Sequence, residues 1–323
     1  MSFDISIIII NYKSWKHLEN CLDSINKIDS MDFSFEVLVV DNCSSDIFFE
    51  VFKKKFTQYK FIENTGNNGF ANACNLGAKN AKGNFFLFLN PDTIISKEPL
   101  LKMYTFLNEN KNVGIVSCSQ ISTSGLYEKN ARFFPGLSTL FGLFRALNKK
   151  KLNSKIAIKN NVLYPDWVSG AVLLISWAWF DKISGWDEDF WMYYEDVNLS
   201  KKVSNLGGKV ALITNTEIIH NHGGSSRINI KTASITKTEV LISKHVYIRN
   251  NYKGIKHFIL QFLIVMNNLI GKIIAGLIGV LFFFIPKLRL NVYLCFNIIK
   301  YYSSSVLNRT WLSYRSLNHP NKN

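Results

Sequence analysis

The sequence predicts an α/β protein, a mostly parallel sheet flanked by helices, followed by a helical, basic and membrane-associating C-terminal segment. Three observations predict it. Apolar runs of strand length alternate with stretches of helical periodicity through the first 120 residues. Those strand runs are continuous rather than alternating, as in strands covered on both faces. The chain from Lys244 to Asn323 carries 11 Lys and Arg, no acid, and a long apolar stretch.

ISIIII at 5–10 is the first strand, bounded by Asn11. SWKHLENCLDSINK at 14–27 repeats Trp15, Leu18, Leu22 and Ile25 at helical spacing. FEVLVV at 35–40 is the second strand, halted at Asp41 and Asn42. IFFEVFKKKF reads as helix, KFIEN as a short strand, GFANACNLGAKNA as helix and FFLFLN at 85–90 as another strong strand. Strand, helix and strand repeated in this way imply right-handed βαβ units. Further on, 145–161 is basic and polar, as an exposed loop or lid would be. VSGAVLLIS at 168–176 reads as a strand, EDVNLSKKVSNLG at 195–207 as a helix ending at Gly207, and KVALIT at 209–214 as a strand.

Hydrophobic residues make up 47% and charged residues 19%, which excludes a disordered chain. Cys21, Cys43, Cys74, Cys118 and Cys295 are odd in number and scattered, with no CxxC pair. That pattern fits a reducing compartment and argues against a disulfide framework or a zinc site. The N-terminus, with Asp4 ahead of its apolar run, reads as the first strand and not as a signal peptide. Net charge is +15, unevenly placed: before Lys244 there are 27 Lys and Arg against 23 Asp and Glu. An acid-free tail points to an anionic surface, and its greasiness favours lipid over nucleic acid. Within Phe258–Ile285, Gln261, Asn267, Asn268 and Lys272 break the apolar run, so interfacial or re-entrant helices are favoured. A membrane span and an ordinary helical core are the alternatives. The expected domains are 1–245, catalytic, and 246–323, for peripheral membrane association.

Open parallel sheets bind ligands beyond the C-terminal ends of their strands. Asn11-Tyr12, DNCSSD at 41–46, ENTGNNGFANACN at 63–75 and NPDT at 90–93 stand at these ends. No GxGxxG and no GxxxxGK[ST] is present, so a dinucleotide or P-loop cradle is unsupported. Asp92, on a Pro-fixed turn, suits a hard cation, or is simply a turn acid. Asp41 is an Asx-turn acid or an acceptor for a base or ribose donor. Glu195 and Asp196 open a helix, where acids complement the dipole. They also follow Trp186, Phe190, Trp191, Tyr193 and Tyr194, an aromatic run that is either core or a sugar-stacking wall. An acid beside such a wall is partly desolvated, and its raised pKa suits a general base. His220 and His222, with glycines and serines after a strand, suggest a phosphate or metal neighbourhood.

In order, SIIIINY, FEVLVVDNCSSD, ENTGNNGFANACN, FFLFLNPDT, DWVSGA, GWDEDFWMYYEDVNL and EIIHNHGGSS resemble glycosyltransferase family 2, in its rhamnosyltransferase-like branch. The resemblance covers residues 3 to 245. It implies a GT-A fold, a nucleotide-sugar donor (dTDP- or UDP-linked), Mg²⁺ or Mn²⁺, and inversion at the anomeric carbon. By the same resemblance, Asn11, Tyr12 and Asp41 hold the nucleotide, and Gly69 lets the backbone approach the donor. Asp92 stands in the metal motif, whose first acid is here Asn90. His220 is the expected second ligand, with His222 as the fallback. Asp196 matches the catalytic base, Glu195 its neighbour, and Trp167, Gly170, Ala171 and Trp191 the acceptor site. The Gln-x-x-Arg-Trp motif of processive members is absent, which implies addition of one sugar at a time. The implied acceptor is a glycan or polyprenyl-linked glycan at the cytoplasmic face of the plasma membrane. The rival readings are a nucleotidyltransferase, which lacks its Gly-rich basic loop here, and a non-catalytic sugar-binding membrane protein.

Overall fold

The computed structural model describes residues 3–29, 31–147, 158, 160–221 and 229–322. His222 and most of the basic stretch at 145–161 lie outside the described residues. The chain divides into two compact units: Met1–Asp187 with Glu195–Gly224, and Glu188–Tyr194 with Ser225–Asn323.

In the first unit the chain runs β1 (Phe3–Asn11), α1 (Trp15–Ile25), β2 (Phe35–Asp41), α2 (Phe48–Lys55), β3 (Lys60–Glu63), α3 (Phe70–Asn80) and β4 (Gly83–Leu89). It continues through β5 (Thr93–Ile94), α4 (Lys97–Glu109), β6 (Val113–Ile121), β7 (Ala131–Arg132), α5 (Leu137–Leu140) and α6 (Gly142–Leu147). Then come β8 (Val162–Leu163), β9 (Trp167–Val168), β10 (Val172–Ser176), α7 (Trp177–Lys182), α8 (Glu195–Asn205) and β11 (Lys209–His220). The main sheet has the order β3-β2-β1-β4-β10-β6-β11-β5, with β8 also on β11, while β7 and β9 form a separate ribbon. Strands β3, β2, β1 and β4 are parallel, as are β6 and β11; β10 runs antiparallel between β4 and β6.

The continuous apolar strands are explained by two cores, one on each face. Ile5, Ile7 and Ile9 of β1 pack with Leu18, Leu22, Val39, Leu100 and Met103. Ile8 and Ile10 point the other way, to Ala71, Cys74, Phe88, Leu173 and Trp186. With successive side chains on opposite faces, a strand buried on both must be apolar throughout. Helix α3 lies close to the sheet because Gly77 has no side chain: a Cβ there would sit 2.4 Å from Ile8.

Two departures from the sequence reading matter for the site. Residues 168–176 are not one strand, since Ser169, Gly170 and Ala171 leave the ladder between β9 and β10. Helix α4 and strand β6 occupy a stretch to which the sequence reading assigns no element, although Leu100, Met103 and Leu107 recur at helical spacing. In β6 the apolar run is interrupted by Ser117, Ser119 and Gln120, all buried, and Ser117 satisfies its hydroxyl on the Val172 carbonyl at 2.7 Å.

The second unit is helical: α9 (Ile230–Asn251), α10 (Gly254–Leu281) and α11 (Pro286–Leu307). Helix α10 is continuous through the four polar residues that interrupt its apolar run. It pairs closely with α11, where Gly279 faces the Leu288 carbonyl and Val292, and Gly276 faces Cys295. Side chains of any size at those glycines would force the helices apart. Segment Glu188–Tyr194 is tied to the helices of this unit. Asp189 binds Arg249 at 2.8 Å, and the Met192 carbonyl accepts from Ser243 at 2.8 Å.

Candidate active site

The strand-end residues of β1 and β2 build one buried network. Asn11 donates to Asp41 Oδ1 at 2.9 Å, and Ser44 donates from its hydroxyl (2.6 Å) and its backbone N–H (2.8 Å) to the two Asp41 oxygens. Both Asn11 and Asp41 are fully buried. A charged carboxylate tolerates that only when hydrogen-bonded, and here the bonds fix the loop that follows β2. Asn42 then reaches the Gly69 carbonyl at 3.3 Å, linking this loop to the start of α3. Tyr12, by contrast, is exposed at the end of β1, with the Lys13 ammonium 5.6 Å from its ring centre. Gly69 holds φ 99° and ψ 170°, a backbone state essentially restricted to glycine, as it caps α3.

Asp92 follows β4 and is buried at its turn. Strand pairing of His220 with Thr93 brings the end of β11 alongside. His220 Nε2 lies 3.3 Å from Asp92 Oδ1, and His220 Nδ1 lies 2.9 Å from Glu128 Oε2. Burial disfavours the imidazolium, but the hydrogen bonds and charges of Asp92 and Glu128 outweigh it and raise the His220 pKa. Glu128 is the site residue that the sequence reading missed, since a lone acid in the loop between β6 and β7 carries no pattern.

These residues can be tested against a divalent cation. Octahedral Mg²⁺ bonds of about 2.0–2.1 Å put neighbouring ligand atoms about 3 Å apart, and the 3.3 Å Asp92–His220 spacing matches such an edge. With Glu128 on Nδ1, Nε2 is the nitrogen that would ligate a cation, the usual carboxylate–histidine arrangement. No cluster of three or more His, Cys, Asp or Glu that could hold a metal occurs among the described residues. Among the described residues the site thus offers Asp92 and His220, and Mg²⁺ ordinarily fills its remaining positions with phosphate oxygens and water.

Two hydrogen bonds connect this turn to the acid pair. Asn90 N–H donates to the Ala171 carbonyl at 2.9 Å, and the neighbouring Gly170 N–H donates to Asp196 Oδ2 at 3.0 Å. The break between β9 and β10 is therefore what carries Asp196 to the end of β4. A Cβ on Gly170 would lie 3.3 Å from Asp196 Cβ, so glycine makes room for the carboxylate. Val197 N–H donates to Asp196 Oδ1 at 2.7 Å.

The two acids then differ in environment. Glu195 is buried, and among the described residues none hydrogen-bonds its Oε2. Burial, reinforced by the charge of Asp196, raises its pKa well above the carboxylate range. Burial raises Asp196 as well, but the Gly170 and Val197 N–H groups oppose it. Both carboxyls are thus held above the usual range, Glu195 with the charge of Asp196 adding to burial and Asp196 with two backbone N–H groups favouring its ionised form.

The raised Glu195 pKa has a consequence for stability. Below about pH 4.5 the Glu195 carboxyl is protonated folded and unfolded, and contributes nothing either way. Above it the unfolded chain ionises while the folded one does not, at about 1.4 kcal/mol per pH unit, until the raised folded pKa is passed. Glu195→Gln is expected to stabilise the protein at pH 7.5, by on the order of 1 kcal/mol or more, and to change little at pH 4.5. Urea midpoints at the two pH values measure this; equal effects at both would mean that Glu195 is buried as an anion.

A family model described as glycosyl transferase family 2 matches residues 6–165. The chain belongs to glycosyltransferase family 2. The low-salt glycan biosynthesis hexosyltransferase Agl10 of Haloferax volcanii is 29% identical over 225 residues, 68% of this glycosyltransferase and 67% of the relative. Rhamnosyltransferase WbbL of Escherichia coli K12 is 24% identical over 223 residues, 66% of this chain and 82% of that one. The N-acetylglucosaminyl-diphospho-decaprenol L-rhamnosyltransferase of Mycobacterium tuberculosis is 22% identical over 241 residues, 68% and 76% of the two chains. Among solved structures, GalNAc-T7 with UDP, GalNAc and Mn²⁺ superposes with TM-score 0.53 at 16% identity, covering 76% of this chain and 50% of that one. Staphylococcus aureus TarS residues 1–349 gives 0.50 at 19%, covering 77% and 67%. The fold of the glycosyltransferase is GT-A.

The expected acceptor residues separate. Gly170 and Ala171 make the backbone links just described. Trp167 is half-buried on the β7–β9 ribbon and donates to the Phe133 carbonyl at 2.9 Å. The aromatic wall is corrected. Trp186 is core, its ring edge-on to Phe88 (5.0 Å) and Phe70 (5.7 Å), and Phe190 is buried as well. Trp191 is buried in the second unit with the Arg315 guanidinium 5.3 Å from its ring centre, so it does not offer an open stacking face. Tyr193 and Tyr194, at φ 70° and 68°, bring the chain to Glu195 through left-handed backbone that disfavours bulky residues. Such strain gathers at functional sites.

Proposed function

We propose that this enzyme transfers a single sugar, with inversion, from a dTDP- or UDP-linked donor to a glycan or polyprenyl-linked acceptor in cell-surface polysaccharide synthesis. The observation that carries the reading is Asp196, a carboxylate with one oxygen on the Gly170 N–H and the other on the Val197 N–H, beside the buried Glu195. Both bonds aim the carboxylate and leave a lone pair on each oxygen, as a general base requires.

Asp196 takes the proton of the acceptor hydroxyl as that oxygen attacks the anomeric carbon. The bond from this carbon to the donor phosphate oxygen breaks, and the nucleoside diphosphate leaves with the electron pair. Attack opposite the leaving group inverts the centre, so one carboxylate suffices. Tyr12 presents its exposed ring for the nucleobase, and Gly69 lets the α3 backbone approach the donor. Asp92 and His220 would hold a divalent cation, which when bound supplies positive charge to the departing diphosphate. The metal reading draws support from GalNAc-T7, whose crystals hold UDP and Mn²⁺. The rhamnose-like donor and the lipid-linked acceptor draw theirs from the named activities of the E. coli and M. tuberculosis relatives.

A thermal-shift screen of nucleotide sugars with Mg²⁺ or Mn²⁺ tests the donor. The true donor at about 100 times its Kd stabilises the fold by about 2.7 kcal/mol, and dTDP-rhamnose is expected to lead the set. No shift with any nucleoside-diphosphate sugar would refute the reading.

A further inference from the structure

Helix α10 buries two polar side chains and exposes a long apolar stripe. A helix on the surface of a water-soluble protein turns its apolar stripe inward and its polar face outward. In α10 the polar residues Gln261 and Asn268 are buried, at 4% and 3% exposure. Gln261 donates to the His245 carbonyl at 2.9 Å, Asn268 donates to the Tyr302 hydroxyl at 3.0 Å, and His245 Nε2 meets that same hydroxyl at 2.9 Å. The outward stripe is Phe262, Met266, Ile270, Ile273, Leu277 and Leu281, spaced by three or four residues along one face, with Leu277 and Leu281 63% and 74% exposed. The stripe continues into the α10–α11 turn, where Phe282, Phe283 and Phe284 are all exposed. Water does not tolerate so long an apolar face on a monomer, whereas lipid reverses the rule: polar groups satisfied inside, apolar groups out.

Charge names the lipid. Lys256, Lys272, Lys287, Arg289 and Lys300 are the charged residues of α10 and α11, and all are cations. Their distribution also sets the depth. At about 1.5 Å per residue, α10 is longer than the roughly 30 Å hydrocarbon slab. A crossing would carry Lys287 and Arg289 through the bilayer and strand Lys272 near its middle, positions charged groups avoid. Lying in the interface, every cation reaches headgroups while the stripe enters the acyl boundary.

We propose that the α10–α11 hairpin docks this protein on anionic bilayers by lying flat in the interface, its outward α10 stripe and aromatic turn inserted and its cations on the headgroups. This commits the tail to a binding mode, and it stands or falls separately from the transfer chemistry because its test uses lipid alone. The full chain is sedimented with phosphatidylcholine vesicles, with and without about 30 mol% phosphatidylglycerol. Wild type is expected to pellet with the anionic vesicles and to be released by alkaline carbonate. Phe262→Glu combined with Leu277→Glu, at exposed positions, is expected to weaken binding by at least roughly tenfold with helical content unchanged. Lys287→Gln with Arg289→Gln tests the charge contribution without touching the stripe, and is expected to reduce the preference for anionic over neutral vesicles. Equal binding by wild type and the stripe variant would overturn the proposal, as would resistance to carbonate, which marks a span. Self-association that the stripe variant abolishes, without vesicle binding by wild type, would assign the face to a second copy of the chain instead.

Discussion

Asp196→Asn is expected to lower kcat by about 10³-fold while changing donor affinity by less than about threefold, because a positioned base contributes roughly 10²–10⁴ to rate and does not hold the donor. The amide keeps the size of the carboxylate, and one of its atoms still accepts from Gly170 or Val197, so the fold is not at issue. It cannot take a proton. Donor binding, followed by titration calorimetry with the nucleoside diphosphate, separates this outcome from loss of the site as a whole. An equal loss of donor affinity and turnover would sink the base assignment. The pH dependence runs in a fixed direction. Asp196 works only as the carboxylate, and burial has raised its pKa against the opposing Gly170 and Val197 bonds. Activity therefore falls as pH drops through that raised value, at higher pH than a solvent-exposed aspartate would give.

Sequence alone reached the first four parallel strands and their strand-end residues, because buried strands must be apolar throughout and their polar terminators stand out against that background. It also reached Asp92, Asp196 and His220, whose pairing with strand ends or a helix start is local. What it missed is non-local. Glu128 is recognisable only once the chain folds it against His220, 92 residues away. The break at Ser169–Ala171 reads as strand in the sequence, since Val168 and Val172 flank it, yet its backbone N–H is what aims Asp196. The aromatic run before Glu195 left core and sugar wall both open, because composition identifies apolar surface but not which side of it meets solvent. Trp186 fills core space between Phe70 and Phe88, a role that the same residue in the same pattern does not announce. Helix α10 reverses the usual inference too. Gln261 and Asn268, read as breaks in an apolar run, lie on its interior face beside Leu260 and Ile264.

Asp92→Ala is expected to weaken nucleoside-diphosphate binding by on the order of 10²-fold when Mg²⁺ or Mn²⁺ is present, and to leave binding in chelator unchanged. Among the described residues Asp92 is the carboxylate facing His220 Nε2, and no cluster of three such side chains can take its place. Glu128→Gln reports on the arrangement one layer out. It keeps a group at His220 Nδ1 but withdraws the charge that fixes the tautomer, so it should cost roughly 10–100-fold in metal affinity. Donor affinity without metal should not move in either variant. Calorimetric titration of metal alone, and of nucleotide with and without metal, reads each quantity directly. An Asp92→Ala enzyme that kept its metal dependence would remove Asp92 from the ligand set, and would make its 3.3 Å contact with His220 an ion pair that only braces the turn. The two outcomes also separate Asp92 from Asp196. One loses donor affinity in a metal-dependent way and the other loses turnover at full donor occupancy, as two carboxylates with different tasks must.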